Sequence, residues 1–233
     1  MNLLSFTILN INMIFKNKRV VLSLMATLLL VVSMAMALYI KQKKINQAIG
    51  FLVKRNESGG VYTADENIHN GIYKAAVDFS QSVVWHYDPA YYQIDYPNGD
   101  VPTGGACTDV VIRVLRKNNM DLQQLIHEDM AAHFADYPNK WGLIHPDPNI
   151  DHRRVPNIMK YFEKSGYSLS ITSTEEDYLP GDIVTWELSP GITHIGIVLD
   201  RGNVFHNMGP TSRVESGFLF SHTIIGHYRL TNL

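Results

Sequence analysis

Cysteine is almost missing from this chain: Cys107 is the only one among 233 residues. That excludes an internal disulfide and any metal site built from several thiolates. Acidic residues are missing from the start, the first being Glu57. A basic stripe is missing too, and the formal net charge is −2, which argues against nucleic acid as a partner because nothing is available to neutralise phosphates. No internal repeat and no low-complexity tract occurs, so solenoid and compositionally disordered classes drop out.

The N-terminus carries an address instead. Lys16, Lys18 and Arg19 precede an uncharged, mostly apolar run from Val20 to Ile40, and Ala35-Met36-Ala37 has the small-residue pattern of a signal-peptidase site. The same run is just long enough to span a bilayer, so residues 1–37 are expected to be a signal peptide or a membrane anchor. Lys41, Lys43 and Lys44 follow it, so basic flanks do not settle the orientation. Either way the remainder is expected outside the inner membrane, in the periplasm, touching the membrane only through an uncleaved N-terminal segment. Without residues 1–37 the chain keeps 17 basic and 22 acidic residues, a mildly acidic protein of roughly 195 residues that suits one domain.

Residues 38–60 read as a linker ending in Ser58-Gly59-Gly60, and 61–233 as a single domain. Thr63-Ala-Asp-Glu66 has capping-box spacing, and Ile68, Ile72, Ala75, Ala76, Phe79 and Val83 follow helical periodicity. Residues 87–106 are rich in Pro, Gly, Asp and Tyr and read as a long loop. Gly104 and Gly105 mark the turn into a helix striped by Val110, Val111, Val114 and Leu115, with Cys107 in its first turn. A helix over Asp121–Phe134, a loop over 137–156 and a short helix to Gly166 follow. SLSITS, GDIVTWEL, HIGIVLD, NVFHNM and IIGHYRL are then short β-rich runs between turn residues. Helices first and strands afterwards predict an α+β domain with a C-terminal antiparallel sheet.

A lone exported thiol is either a small buried hydrophobe or a nucleophile. A helix N-terminus favours the thiolate, and a nucleophile needs a base and a group that orients the base. His194 and His206 stand twelve residues apart, and a hairpin turning at Asp200-Arg-Gly202 would bring them together. His127-Glu-Asp-Met-Ala-Ala-His133 places its histidines six apart, on different helical faces, so no metal is expected there. Arg153 and Arg154 in DPNIDHRR are suited to gripping a carboxylate or to pinning a loop through an Asp–Arg network.

Leu179-Pro-Gly-Asp-Ile-Val-Thr-Trp186, Gly191-Ile-Thr-His-Ile-Gly-Ile-Val198 and His206, preceded by Ala106-Cys-Thr-Asp-Val-Val111, resemble the NlpC-type cysteine peptidases, papain-like cell-wall hydrolases. Over residues 63–230 the chain is similar, through CTDVVIR, HEDM, DPNIDHRRVPN, PGDIVTW, HIGIV and GHYR, to a family of exported bacterial proteins catalogued as a domain of unknown function. The resemblance implies a papain-like core with the cysteine at a helix start packed on the sheet. It also implies Cys107 as nucleophile, His194 as base, His206 as orienter and Tyr96 as the tyrosine that assists at the oxyanion, with Tyr92 behind it. NlpC-type members usually carry Asp before the cysteine and Ser-Gly after it. Here Ala106, Thr108 and Asp109 stand instead, which puts the substrate subsite in question and adds Asp109 to Arg153 and Arg154 as candidate substrate-binding residues. The implied activity is amide-bond hydrolysis without cofactor or metal, on peptidoglycan stem peptides or another cell-envelope peptide. An acyltransferase or thioesterase on the same fold, and a non-catalytic binding module with an inert thiol, are the rival readings. A paired thiol should have a lowered pKa and a packing thiol a raised one.

Overall fold

A computed structural model describes residues 64–231, together with scattered helical positions between 22 and 41. The signal or anchor segment and the linker fall mainly outside the described residues. No helix among those described is long and apolar enough to cross a membrane.

Within residues 64–231 four α-helices come first: α1 (Ala64–Ser82), α2 (Cys107–Arg116), α3 (Leu122–His133) and α4 (Val155–Lys164). Five strands follow: β1 (Ile183–Ser189), β2 (Ile192–Val198), β3 (Val204–Asn207), β4 (Ser212–Glu215) and β5 (Thr223–Tyr228). They form one antiparallel sheet in the order β4-β3-β2-β1-β5, so the expected α+β arrangement is the observed one. α3 starts where Asp121 caps it, its carboxylate accepting the Gln123 N–H at 3.3 Å. α4 stops before Gly166, whose φ of +77° ends a helix at little steric cost. SLSITS is not a strand; it contributes only a bridge between Ser168 and Tyr228.

The sheet alternation sorts its side chains into two cores. Ile183, Ile195, Ile197, Phe205 and Tyr228 pack with the helices, and Val110, Val111, Val114 and Leu115 of α2 are fully buried among them. Each such aliphatic side chain contributes about 1.5–3 kcal/mol by leaving water. On the other side Val184, Trp186, Val198 and Val204 are covered by Tyr178, Phe218 and Leu219, with Trp186 Nε1 donating to the Leu219 carbonyl at 2.8 Å. The Pro-Gly-Asp turn ahead of β1 supplies a buried tie. Asp182 accepts from His227 Nε2 (2.7 Å), Arg229 Nε and Nη2 (both 2.7 Å), the Leu179 N–H (2.8 Å) and His69 Nε2 (3.2 Å), joining α1 to β5.

Candidate active site

Two glycines lead into Cys107 because the backbone demands them. Gly104 and Gly105 have φ of +59° and +138°. A Cβ on Gly105 would lie 2.6 Å from the Asp109 Cβ, and one on Gly104 would run into the His86 carbonyl. Cys107 is then the first residue of α2 and is 7 % exposed. Asp109 fixes the head of the helix, its Oδ2 accepting the Ala106 N–H at 2.6 Å.

The thiol meets the sheet at β2, where it is hydrogen-bonded by the backbone N–H of Ile195, the residue after His194. Burial pushes the Cys107 thiol up to about 11. The Ile195 N–H opposes this, Asp109 adds to it, and the N–H groups of Thr108 and of Cys107 itself oppose it in smaller measure. The lowered thiol pKa expected of a preformed ion pair is therefore absent: a helix start does not outweigh the loss of water around the sulfur.

His194 and His206 do meet. Nε2 of His194 lies 2.8 Å from Nδ1 of His206, and Nε2 of His206 lies 3.3 Å from Glu215 Oε2. Both rings occupy the sheet face of Trp186 and Phe218, with Phe218 at 5.7 Å and 4.3 Å. Gly196 makes the diagonal contact possible, since a Cβ there would sit 2.7 Å from Val204 Cγ1 and 3.1 Å from the His206 Cβ. Burial, then the electrostatic influence of His206, His222 and Arg213, pushes His194 down to about 3. Burial and Arg213 push His206 down to about 4 against the pull of Glu215. Both rings are neutral at pH 7.

Neutrality assigns the tautomers. A carboxylate only accepts, so His206 donates from Nε2 to Glu215 and its Nδ1 is a bare acceptor. His194 then donates from Nε2, which leaves the lone pair on Nδ1. Arg213 holds Glu215 in place, Nη2 at 2.7 Å and Nε at 2.9 Å from Oε2. Asn207, on the opposite face of β3 from His206, donates from Nδ2 to the Gly105 carbonyl at 2.8 Å and so ties this strand to the cysteine turn.

A family model for a domain of unknown function, DUF1287, matches residues 72–230. The chain belongs to the DUF1287 family. Across 150 residues it is 49 % identical to the uncharacterized protein YijF of Escherichia coli (strain K12), covering 61 % of this chain and 73 % of that protein. Among solved structures it is similar to NlpC2 from Trichomonas vaginalis, at 14 % identity and a TM-score of 0.41, covering 74 % of this chain and 49 % of that one. A lipoprotein-like NLP/P60 family protein from Staphylococcus aureus is 15 % identical with a TM-score of 0.38, covering 76 % and 45 %. The chain thus spans about half the length of the solved structures it matches.

Other expected site residues of this DUF1287 domain lie elsewhere or are already engaged. Arg153 is not free to bind substrate. Its Nε lies 2.9 Å and its Nη2 3.0 Å from the Asp109 carboxylate, its Nη1 donates to the Ala90 carbonyl at 2.7 Å, and both side chains are buried. Asp109 is consumed by the same bridge, so this pair pins the 88–90 loop to the head of α2. Arg154 keeps a spare donor, a buried Nη1 without a partner, while its guanidinium stacks 4.1 Å over Trp141. Tyr96 packs on His127 at 5.1 Å between ring centroids and faces Glu128 and Asp121. Tyr92 donates to Asp88. The tyrosine within electrostatic reach of the thiol is Tyr87, raised by burial and then by Cys107. His127 faces Asp151 at 3.9 Å and His133 turns to Asp129 at 3.0 Å, and no group of three or more potential ligands suited to a metal occurs among the described residues. Glu215, Tyr87 and Asn207 are the residues that sequence reasoning missed. Only the Phe-His-Asn order of β3 hinted at one of them.

Proposed function

We propose that this protein is a cysteine hydrolase of amide bonds, with Cys107 as nucleophile, His194 as base and His206 as orienter. The reading places it on the outer side of the inner membrane, with peptidoglycan stem peptides as candidate substrate. The observation that carries it is the polarised chain Glu215–His206–His194, which leaves the one bare imidazole nitrogen at His194 Nδ1. Nδ1 is the ring nitrogen nearer the backbone; the thiol bonds the backbone N–H of the adjoining residue, Ile195, and makes no hydrogen bond to the His194 ring itself.

Because thiol and imidazole both start neutral, attack and proton transfer go together. The sulfur adds to the amide carbonyl carbon while its proton moves to His194 Nδ1. The resulting tetrahedral oxyanion is met by the Cys107 backbone N–H at the helix start, with Tyr87 as a second donor. His194 returns the proton to the leaving amine as the C–N bond breaks, giving a thioester. Water then adds, its proton passing to Nδ1, and C–S cleavage releases the acid and restores the thiol. The mechanism requires Sγ and Nδ1 to reach hydrogen-bond distance during turnover.

The raised thiol pKa favours a second reading, a binding module in which Cys107 is a packing residue. Incubating the full chain with stem peptides and following acid and amine products by mass spectrometry separates the two. Hydrolysis by the wild type that is lost in Cys107→Ser and in His194→Ala supports the enzyme. Intact peptides and thioesters with every protein would leave the binding module.

A further inference from the structure

The last turns of α2 build a second feature, remote from the thiol. A groove of about 550 Å³ lies between the end of α1, the segment Asp100–Gly104, the α2 side chains Arg113 and Arg116, and Lys117 just past the helix. Arg113 is six residues past Cys107, roughly 9 Å along the helix axis. The floor is aromatic: Phe79 and Trp85 have ring centroids 5.1 Å apart, with Arg113 stacked 4.7 Å over Trp85 and Lys117 Nζ 5.7 Å over Phe79.

The charges around the groove do not balance. Asp100 is the sole acid lining it, and Arg113 takes both its oxygens at 2.8 Å while also donating to the Gly104 carbonyl at 2.7 Å. Arg113 commits three of its five N–H donors, and its charge, to these contacts. Arg116 uses Nη2 on the Gly99 carbonyl and on Asp121 and its Nε is buried, which leaves Nη1 as the donor of this partly exposed side chain without a hydrogen bond among the described residues. Lys117 is exposed and forms no ion pair among the described residues. Two cationic donors therefore stand at an aromatic surface with nothing to accept from them. A carboxylate has the two acceptor oxygens and the negative charge that such a pair demands, and an apolar body beside it would cover the aromatic floor.

We propose that this groove binds a carboxylate-bearing ligand with an apolar body, the carboxylate held by Arg116 Nη1 and Lys117 Nζ and the body lying against Phe79 and Trp85. The site stands apart from the catalytic reading, since none of these residues belongs to the histidine relay. The carboxylate belongs either to a small free acid or to the C-terminus of a peptide.

NMR of the isotope-labelled full chain tests it, reading the Trp85 indole N–H and the Lys117 amide. The probes are hippurate and its neutral analogue hippuramide, then the peptide Ala-Ala-Phe with a free and with an amidated C-terminus. Hippurate should give saturable shifts at Trp85 and Lys117 and leave the Trp186 indole unmoved, whereas hippuramide should shift neither. Lys117→Gln should weaken binding about two- to five-fold, the range of one exposed charge pair, and Lys117→Glu should abolish it. Cys107→Ser should bind as the wild type does. Tighter binding of free-acid Ala-Ala-Phe than of hippurate assigns the site to peptide C-termini, and the reverse order to small acids. Equal binding of hippurate and hippuramide, no saturable shift with either acid, or full binding by Lys117→Glu would overturn the proposal.

Discussion

Asp182 and His194 anchor two buried histidine clusters on the same sheet, and the clusters handle charge in opposite ways. At Asp182 every acceptor site is filled. Burial alone would raise this carboxyl, yet His227, His69 and Arg229 hold it well below the usual carboxylate range. At His194 the chain of donors runs in one direction and ends in an unused lone pair, while burial keeps both rings uncharged. A saturated cluster fixes geometry, and a cluster with one open valence can move a proton. Buried histidines alone do not mark a site. What distinguishes them is whether the hydrogen-bond count closes.

The sharpest way to break this contrast is at the relay itself. Cys107→Ser and His194→Ala should each lower kcat/KM on a cleaved peptide by about 10³-fold or more, with urea midpoints near wild type. Asp182→Asn should do the reverse. Removing the charge from its buried partners should cost about 3–5 kcal/mol of stability, read from urea unfolding, while the folded fraction keeps its turnover rate. Glu215→Ala should fall between them, lowering kcat by about 10-fold through loss of the preferred tautomer and leaving the melting temperature almost unmoved.

The last test is one of pH. His152 and His194 are pushed down to about 3 and His206 to about 4, all chiefly by burial and all below the ~6.5 of an unfolded histidine. As pH falls below ~6.5 the unfolded chain binds protons that the folded one refuses, so stability drops. The slope should reach up to about 1.4 kcal/mol per pH unit for each histidine until its folded pKa is passed. Asp182 adds to the loss below ~4, because its depressed carboxyl stays ionised in the fold while the unfolded one protonates. Urea midpoints at pH 7 and pH 5 measure the slope, and His152→Asn should remove one histidine's share.

The parts of this molecule that were legible in its sequence are local. The helix head at Cys107 follows from two glycines and an apolar stripe, and the His194–His206 pairing from a twelve-residue interval across one tight turn. The family motifs extended that reach to the order of the elements. Partners chosen over long separations were not legible. Arg153 reaches Asp109 across 44 residues and takes both off the list of substrate contacts. Tyr87 was passed over for Tyr96 because spacing from the cysteine says nothing about how a loop of twenty residues folds back. β4 went unread because Ser212-Arg-Val-Glu215 is a short edge strand with a single apolar residue, and Glu215 went with it. Ser168–Ser173 shows the converse error, since alternation supplied a strand pattern but the sheet pairs it only at one bridge.

The covered, protonated thiol has a consequence for chemical durability. Peroxides and disulfides attack the thiolate, and attack grows with exposure. With burial holding Cys107 up near 11 and only a sliver of its surface open, the sulfur is a poor target for sulfenic acid formation or for glutathione. A chain with no second cysteine cannot rescue an oxidised sulfur by closing a disulfide within itself. In the proposed mechanism, keeping the proton on until His194 removes it would let one irreplaceable atom wait without being spoiled.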